Sequence, residues 1–195
     1  MSRPASRAVR STRDLLARLG ILCLLPFAAS ASDAEALGER MLEVLGGRAA
    51  WAALQGTVND SQQNRAEAPN VIRAVIHMDF NAPRFRIEMT GPDLDIVRVV
   101  DGETGWRRTR EGRIEDLPAD RREEDLRWYQ GHVYRTLHRL ARRDPALSLS
   151  LAADGRLQVH EDGARIAWYR LDSRGEPYAY GAHDDDTGSL FGPWE

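Results

Sequence analysis

The sequence predicts an α+β fold in which an antiparallel meander is combined with two helical segments. Three observations carry that expectation. Residues 71–80 and 84–89 alternate apolar and polar side chains with the two-residue period of a strand. The links between such runs, Asn81-Ala82-Pro83, Gly91-Pro92 and Asp101-Gly102, are short and rich in turn formers, which suits hairpins rather than crossovers. Residues 120–143 carry Leu126, Tyr129, Val133, Leu137 and Leu140 at spacings of three and four, the seam of an amphipathic helix.

In order along the chain, residues 34–45 form a first helix. Leu37, Met41, Leu42, Val44 and Leu45 lie along its apolar stripe, Ser32 or Asp33 caps its free amides, and Gly46-Gly47 stops it. Another turn or two follows at 48–54, anchored by Trp51. In the strand at 71–80, Ile72, Ala74, Ile76, Met78 and Phe80 share one face. In the next, Phe85, Ile87 and Met89 point inward against Arg84, Arg86 and Glu88. Residues 94–100 return to the Asp101-Gly102 turn, and 106–110 pair with 113–117. Pro145 ends the long helix, because the residue before proline is pushed out of helical geometry. Beyond it, residues 147–151, 157–159, 166–169 and 177–180 read as strands around Asp154-Gly155, Asp162-Gly163 and Ser173-Arg174-Gly175.

The N-terminal end reads as a cleaved secretory signal over residues 1–31, leaving a single domain over 32–195. Five arginines precede the apolar run of residues 19–29, which is shorter than the roughly 20 residues a membrane-spanning helix needs, and Ala29-Ser30-Ala31 supplies a small-residue cleavage site. An organellar transit peptide is the alternative that the arginine-rich start also fits. The expected location is the periplasm, reached by the Sec route with cleavage near Ala31; no consecutive arginine pair suggests twin-arginine export. Cys23, the one cysteine, lies inside this segment without a lipobox, so the mature chain is expected to carry no acyl anchor and no disulfide. Removing residues 1–31, which hold five arginines and Asp14, leaves 22 basic and 29 acidic residues, a net charge of −7. That sign argues against nucleic acid and against adhesion to anionic lipid, and nothing in the mature chain suggests an integral membrane protein.

No motif for chemistry stands out. His183-Asp184-Asp185-Asp186 is the best metal candidate, but four adjacent residues cannot all turn to one ion and the run lacks a calcium-loop spacing. His132 and His138 are six apart on the expected helix, on nearly opposite faces, whereas a shared zinc needs a spacing of four. His77 and His160 sit on strands without a spaced partner. Ser61 and Ser173 fall in polar turns with no nucleophile elbow. No phosphate loop or dinucleotide fingerprint occurs, so neither an enzyme nor a cofactor is expected. The inward aromatic and aliphatic residues are the candidate site: they either line a cavity, if the sheet curls, or fill a solid core.

Pro83 and Phe85, Pro92, Asp101-Gly102 and Trp106 together resemble the corresponding part of the LolA-type periplasmic lipoprotein carriers, most closely over residues 80–118. The resemblance implies a strongly curved antiparallel sheet, an open and incomplete β-barrel, with helices packed on its concave side. It implies a hydrophobic cavity for lipid or lipoprotein acyl chains, here lined by Ile76, Met78, Phe85, Ile87, Met89 and Trp106. The function it implies is non-enzymatic carriage of an acylated or lipidic ligand, extending to lipoprotein sorting to the outer membrane. The alternative is an envelope sensor or interaction protein, with another envelope protein as partner, using the same fold. The carriers also hold a buried arginine that fastens helical lids. Arg73, Arg84 and Arg86 lie nearby in sequence, and none of them is singled out for that role.

Overall fold

The computed structural model describes residues 31–65, 68–185 and 187–192. The predicted signal up to residue 30 lies outside them. The chain is α+β with antiparallel sheets, as the hairpin links predict. It begins with α1 (Ala31–Val44) and α2 (Arg48–Ala53). Six strands follow: β1 (Gly56–Arg65), β2 (Ala68–Asp79), β3 (Arg84–Gly91), β4 (Leu94–Asp101), β5 (Thr104–Arg108) and β6 (Ile114–Asp116). Then come α3 (Ala119–Gln130) and α4 (Val133–Ala141), and a second set of strands: β7 (Leu147–Leu151), β8 (Leu157–Glu161), β9 (Ala164–Leu171), β10 (Pro177–Ala182) and β11 (Ser189–Leu190).

The strands form two sheets where the resemblance implied one curved wall. The first has the order β1-β2-β3-β4-β5-β6 and the second β11-β10-β9-β8-β7, and neither closes on itself. The break falls where α3 and α4 intervene between β6 and β7. Asp162 and Gly163, both with positive φ (51° and 81°), make the tight turn joining β8 to β9. Two strands escaped the sequence reading. The last, β11, has only two residues. The first, β1, has almost no apolar side chains, yet it pairs along most of its length with β2 and so places Ser61, expected in a turn, opposite Ala74. Backbone pairing holds such a strand without a hydrophobic face.

The expected helix over 120–143 is two helices. Its apolar seam is continuous, but Gly131 closes α3 and His132 is extended (φ −64°, ψ 136°). The interruption has a packing cause. A Cβ at residue 131 would overlap the Ile166 carbonyl oxygen and lie 3.1 Å from His183 Nε2, so only glycine lets the chain pass this close to β9. The Tyr180 hydroxyl donates to the Gly131 carbonyl and fixes the junction.

The break lets each helix serve a different sheet. α4 buries Val133, Leu137 and Ala141 with Leu157, Val159, Ile166 and Tyr169 of the second sheet and with Ala34, Met41 and Leu42 of α1. α3 joins the first sheet through Tyr129, which packs with Met78, Phe80, Phe85, Ile87, Val100 and Leu117. Tyr134 touches both clusters. Among the described residues no helix is long and apolar enough to cross a membrane.

Candidate functional site

The register of the first sheet decides which predicted site residues meet. Ala74, Ile76 and Met78 of β2 lie opposite Met89, Ile87 and Phe85 of β3. These five predicted residues, together with Ala74, therefore share one face, which α3 covers. Met78 and Phe85 are sealed core, with Phe85 stacked on Tyr129 at 5.4 Å and edge-on to Trp128 at 5.6 Å. Tyr129 is anchored in turn, its hydroxyl donating to the carbonyls of Asp79 (2.9 Å) and Ala82 (2.7 Å). Farther along the same face the packing opens. Ile76 and Met89 are half-buried and, with Ala74, Ile87 and Trp128, line a groove of about 230 Å³ beside α3.

Trp106 does not belong to this face. Gly105 lies opposite Val100 on the inward side, and one residue on, Trp106 lies opposite Val99. The inward place at 105 is crowded, since a Cβ there would sit 3.2 Å from Leu117 Cδ2. Because side chains alternate strictly, the bulky indole goes to the outer face. There it joins Val58, Val99, His77 and Arg86 around a separate, shallow hollow of about 700 Å³.

The groove has a polar end that the sequence reading missed. Arg98 occupies the inward position opposite Ile87. Its guanidinium grips Asp125 of α3 in two-point fashion, Nε to Oδ2 at 2.9 Å and Nη2 to Oδ1 at 3.2 Å. The Arg98 side chain is 15% exposed and that of Asp125 only 3%. Arg121, one turn earlier on α3, adds Nη2 to Asp125 Oδ1 at 3.1 Å and Nη1 to Glu124 Oε2 at 2.8 Å. The three arginines near the resemblance are all elsewhere. Arg73 pairs with Asp60, Arg84 with Asp101 and Arg86 with Glu88, all at exposed or half-exposed positions.

The remaining candidates have structural duties. His183 donates from Nε2 to the Arg127 carbonyl (2.6 Å) and Asp184 pairs with Arg127 (2.7 Å). The Asp185 carboxylate accepts from the amides of Thr187 and Gly188, at 3.0 Å each. These are turn and docking contacts; Asp186 lies outside the described residues. Among those described, no group of three metal-ligating side chains forms. His160 bonds to Ser150 Oγ through Nε2 at 2.9 Å.

His132 is buried at the helix junction, its ring 4.8 Å from that of Trp128 and 5.5 Å from that of Tyr134. Burial lowers its pKa from 6.5 to about 4. Burial lowers that of His138 as well, helped by the charges of Arg142 and Arg135. Both therefore resist protonation when folded and accept it when unfolded. Stability from His132 is full above the unfolded pKa and is lost as pH falls from 6.5 toward 4. Between pH 7 and pH 5 this loss is about 2 kcal/mol. Urea melts at the two pH values should show it, and His132→Phe should reduce the difference, leaving the part that His138 contributes.

No family model, no curated protein and no solved structure matches this chain.

Proposed function

We propose that the chain is an exported, non-enzymatic carrier that holds an acylated or lipidic ligand between the first sheet and α3. The observation that carries this reading is how lightly α3 is attached. Of its twelve residues only Asp125 and Tyr129 are buried, and Asp125 is held to the sheet by Arg98. Against the first sheet the helix is held by the Arg98–Asp125 pair, by the rings of Tyr129 and Trp128 on Phe85 and by half-buried Leu126; lifting its first turns would expose Ile76, Ile87 and Met89 as a continuous apolar floor. In this reading the two sheets together act as the incomplete barrel wall, Arg98 is the arginine that fastens the lid, and delivery of lipoproteins toward the outer membrane is the finer role. Acyl chains suit the floor because each buried methylene adds about 0.8 kcal/mol without a polar partner.

The test is equilibrium dialysis of mature protein with a dodecyl-chain amphiphile. Wild type should bind it. Met89→Glu, at a half-buried rim position, should bind at least about tenfold more weakly, since its carboxylate loses water as the chain enters. Its melting temperature should stay within about 4 °C, the shift of roughly 1 kcal/mol in a domain of this size. Failure of wild type to take up any acylated ligand would sink the carrier reading.

A second reading, an envelope sensor or interaction protein, draws on the outer face, where Val58 is 63% exposed beside Trp106 and Val99.

A further inference from the structure

Resting on that carrier reading, we infer that the ligand is a single-chain amphiphile with an anionic head, and that the head exchanges with Asp125 on the Arg98 guanidinium. The groove is two-natured along its length. Its sheet side is apolar, from Ala74, Ile76 and Met89, while one end holds two arginines around a single buried carboxylate. Glu124, the other acid there, is 67% exposed and pairs with Arg121 at the outer edge of the site. The buried part of the site is thus the Arg98–Asp125 pair, with Arg121, 38% exposed, at its solvated edge.

Arg98 also has donors to spare. Asp125 takes Nε and one proton of Nη2, and Arg98 makes no other hydrogen bond among the described residues, although a guanidinium offers five donors. Beside it, Arg121 Nε is buried and meets no hydrogen-bond partner among the described residues. A planar fork of this kind matches a carboxylate or a phosphate at two points. A buried ion pair is seldom the most stable filling for such a position, since well-packed apolar residues usually serve as well or better. Its presence beside a groove is accounted for if the pair has to open.

The exchange has a simple physical logic. An arriving anion replaces Asp125 on Arg98 with a partner of the same charge, while Asp125 keeps Arg121, four residues earlier on its own helix. One charge-assisted pair is exchanged for another, and neither guanidinium is left bare. The lid is released in the same step. Release matters because the closed groove, about 230 Å³, is smaller than the roughly 300 Å³ at which ligand pockets begin. A neutral amphiphile offers no such exchange: to lift α3 it must leave Arg98 unpaired beside its own chain.

The experiment measures binding of laurate, dodecyl phosphate and monolauroylglycerol to mature protein by calorimetry, each below its micelle concentration. Laurate or dodecyl phosphate should bind at least about tenfold tighter than the neutral lipid, and the tighter of the two identifies the head as carboxylate or phosphate. Arg98→Gln should erase this preference, weakening the anionic lipids, while monolauroylglycerol binds no more weakly than to wild type because no guanidinium is left unpaired when α3 lifts. Should Arg98→Gln fail to fold, Asp125→Asn decides: with its competitor weakened, Arg98 should take laurate several-fold more tightly than in wild type, which a purely structural pair would not produce. Equal affinity for anionic and neutral lipids, or a preference surviving in Arg98→Gln, or unchanged laurate affinity in Asp125→Asn, overturns the anionic head and leaves carriage standing. Uptake of none of the three lipids overturns both.

Discussion

Replacing Trp168 by alanine should lower the stability of the protein by about 3–5 kcal/mol, the range for removing a buried tryptophan. Trp168 is 1% exposed. Its indole fills the space under Gly181 and Gly188, where added Cβ atoms would overlap the ring. Its Nε1 donates to the Asp185 carbonyl at 2.5 Å, and the Arg156 guanidinium lies 5.0 Å from the ring centroid on a face. Asp185, one of the residues that looked most like metal ligands, is thus part of the cover of a buried indole. Arg165 holds the same cover by donating to the His183 carbonyl at 2.7 Å. Trp106→Ala, on the half-buried outer face, should cost only about 1 kcal/mol, near the centre for single substitutions. Urea denaturation of the two variants compares them directly. Similar losses for both would mean that the facing of Trp106 or the seal over Trp168 is misplaced.

Arg139→Ala should be nearly as damaging, at about 3 kcal/mol, the lower end for breaking a buried ion pair. The Arg139 side chain is 9% exposed and joins Nε to Asp144 at 2.7 Å and Nη2 to Glu161 at 2.5 Å. Gln130 Nε2 donates to the other Glu161 oxygen at 2.6 Å, so the end of α3, the last turn of α4 and β8 meet in one network. The Arg139 hydrogen bond holds the Glu161 carboxyl below its ordinary pKa, outweighing burial, with Gln130 assisting. A depressed carboxyl stabilises the fold above its unfolded pKa, and this is lost as pH falls through the folded value. Arg139→Ala should therefore lose stability at neutral pH and show a flatter decline into acid. Replacing both partners, as Arg139→Met with Glu161→Met, should recover much of the loss, because apolar groups in place of a buried pair are often neutral. A double variant as unstable as Arg139→Ala would point to packing of the arginine stem.

The strands with an apolar face were legible in the sequence because alternation is local. The pairing of Ile76 with Ile87 and Met78 with Phe85 follows from a tight turn and a two-residue period. β1 was not legible, since its partner is identified by backbone groups that every sequence shares. The split of the long helix was hidden for a different reason. Leu126, Tyr129, Val133, Leu137 and Leu140 keep helical spacing across the break, and what interrupts them is the Ile166 carbonyl, thirty-five residues farther on. Trp106 was placed among the cavity residues by the resemblance, and only its register with β4, opposite Val99, sets its indole on the other face. The Arg98–Asp125 pair has no sequence signature: an arginine on a strand and an aspartate on a polar helix each look like solvated surface until the two elements are packed together.

The division of strands between two sheets also sets an order of assembly. Every strand in both sheets is bonded to a neighbour in the chain, so each pairing closes only a short loop and should form quickly. α1 is the exception. Its buried residues, Ala34, Met41 and Leu42, pack with the second sheet, and Gly38 leaves room for Leu149 of β7. That surface does not exist until the strands beginning at Leu147 have paired. The apolar stripe of the first described helix thus stays uncovered until a sheet more than a hundred residues farther along the chain has paired.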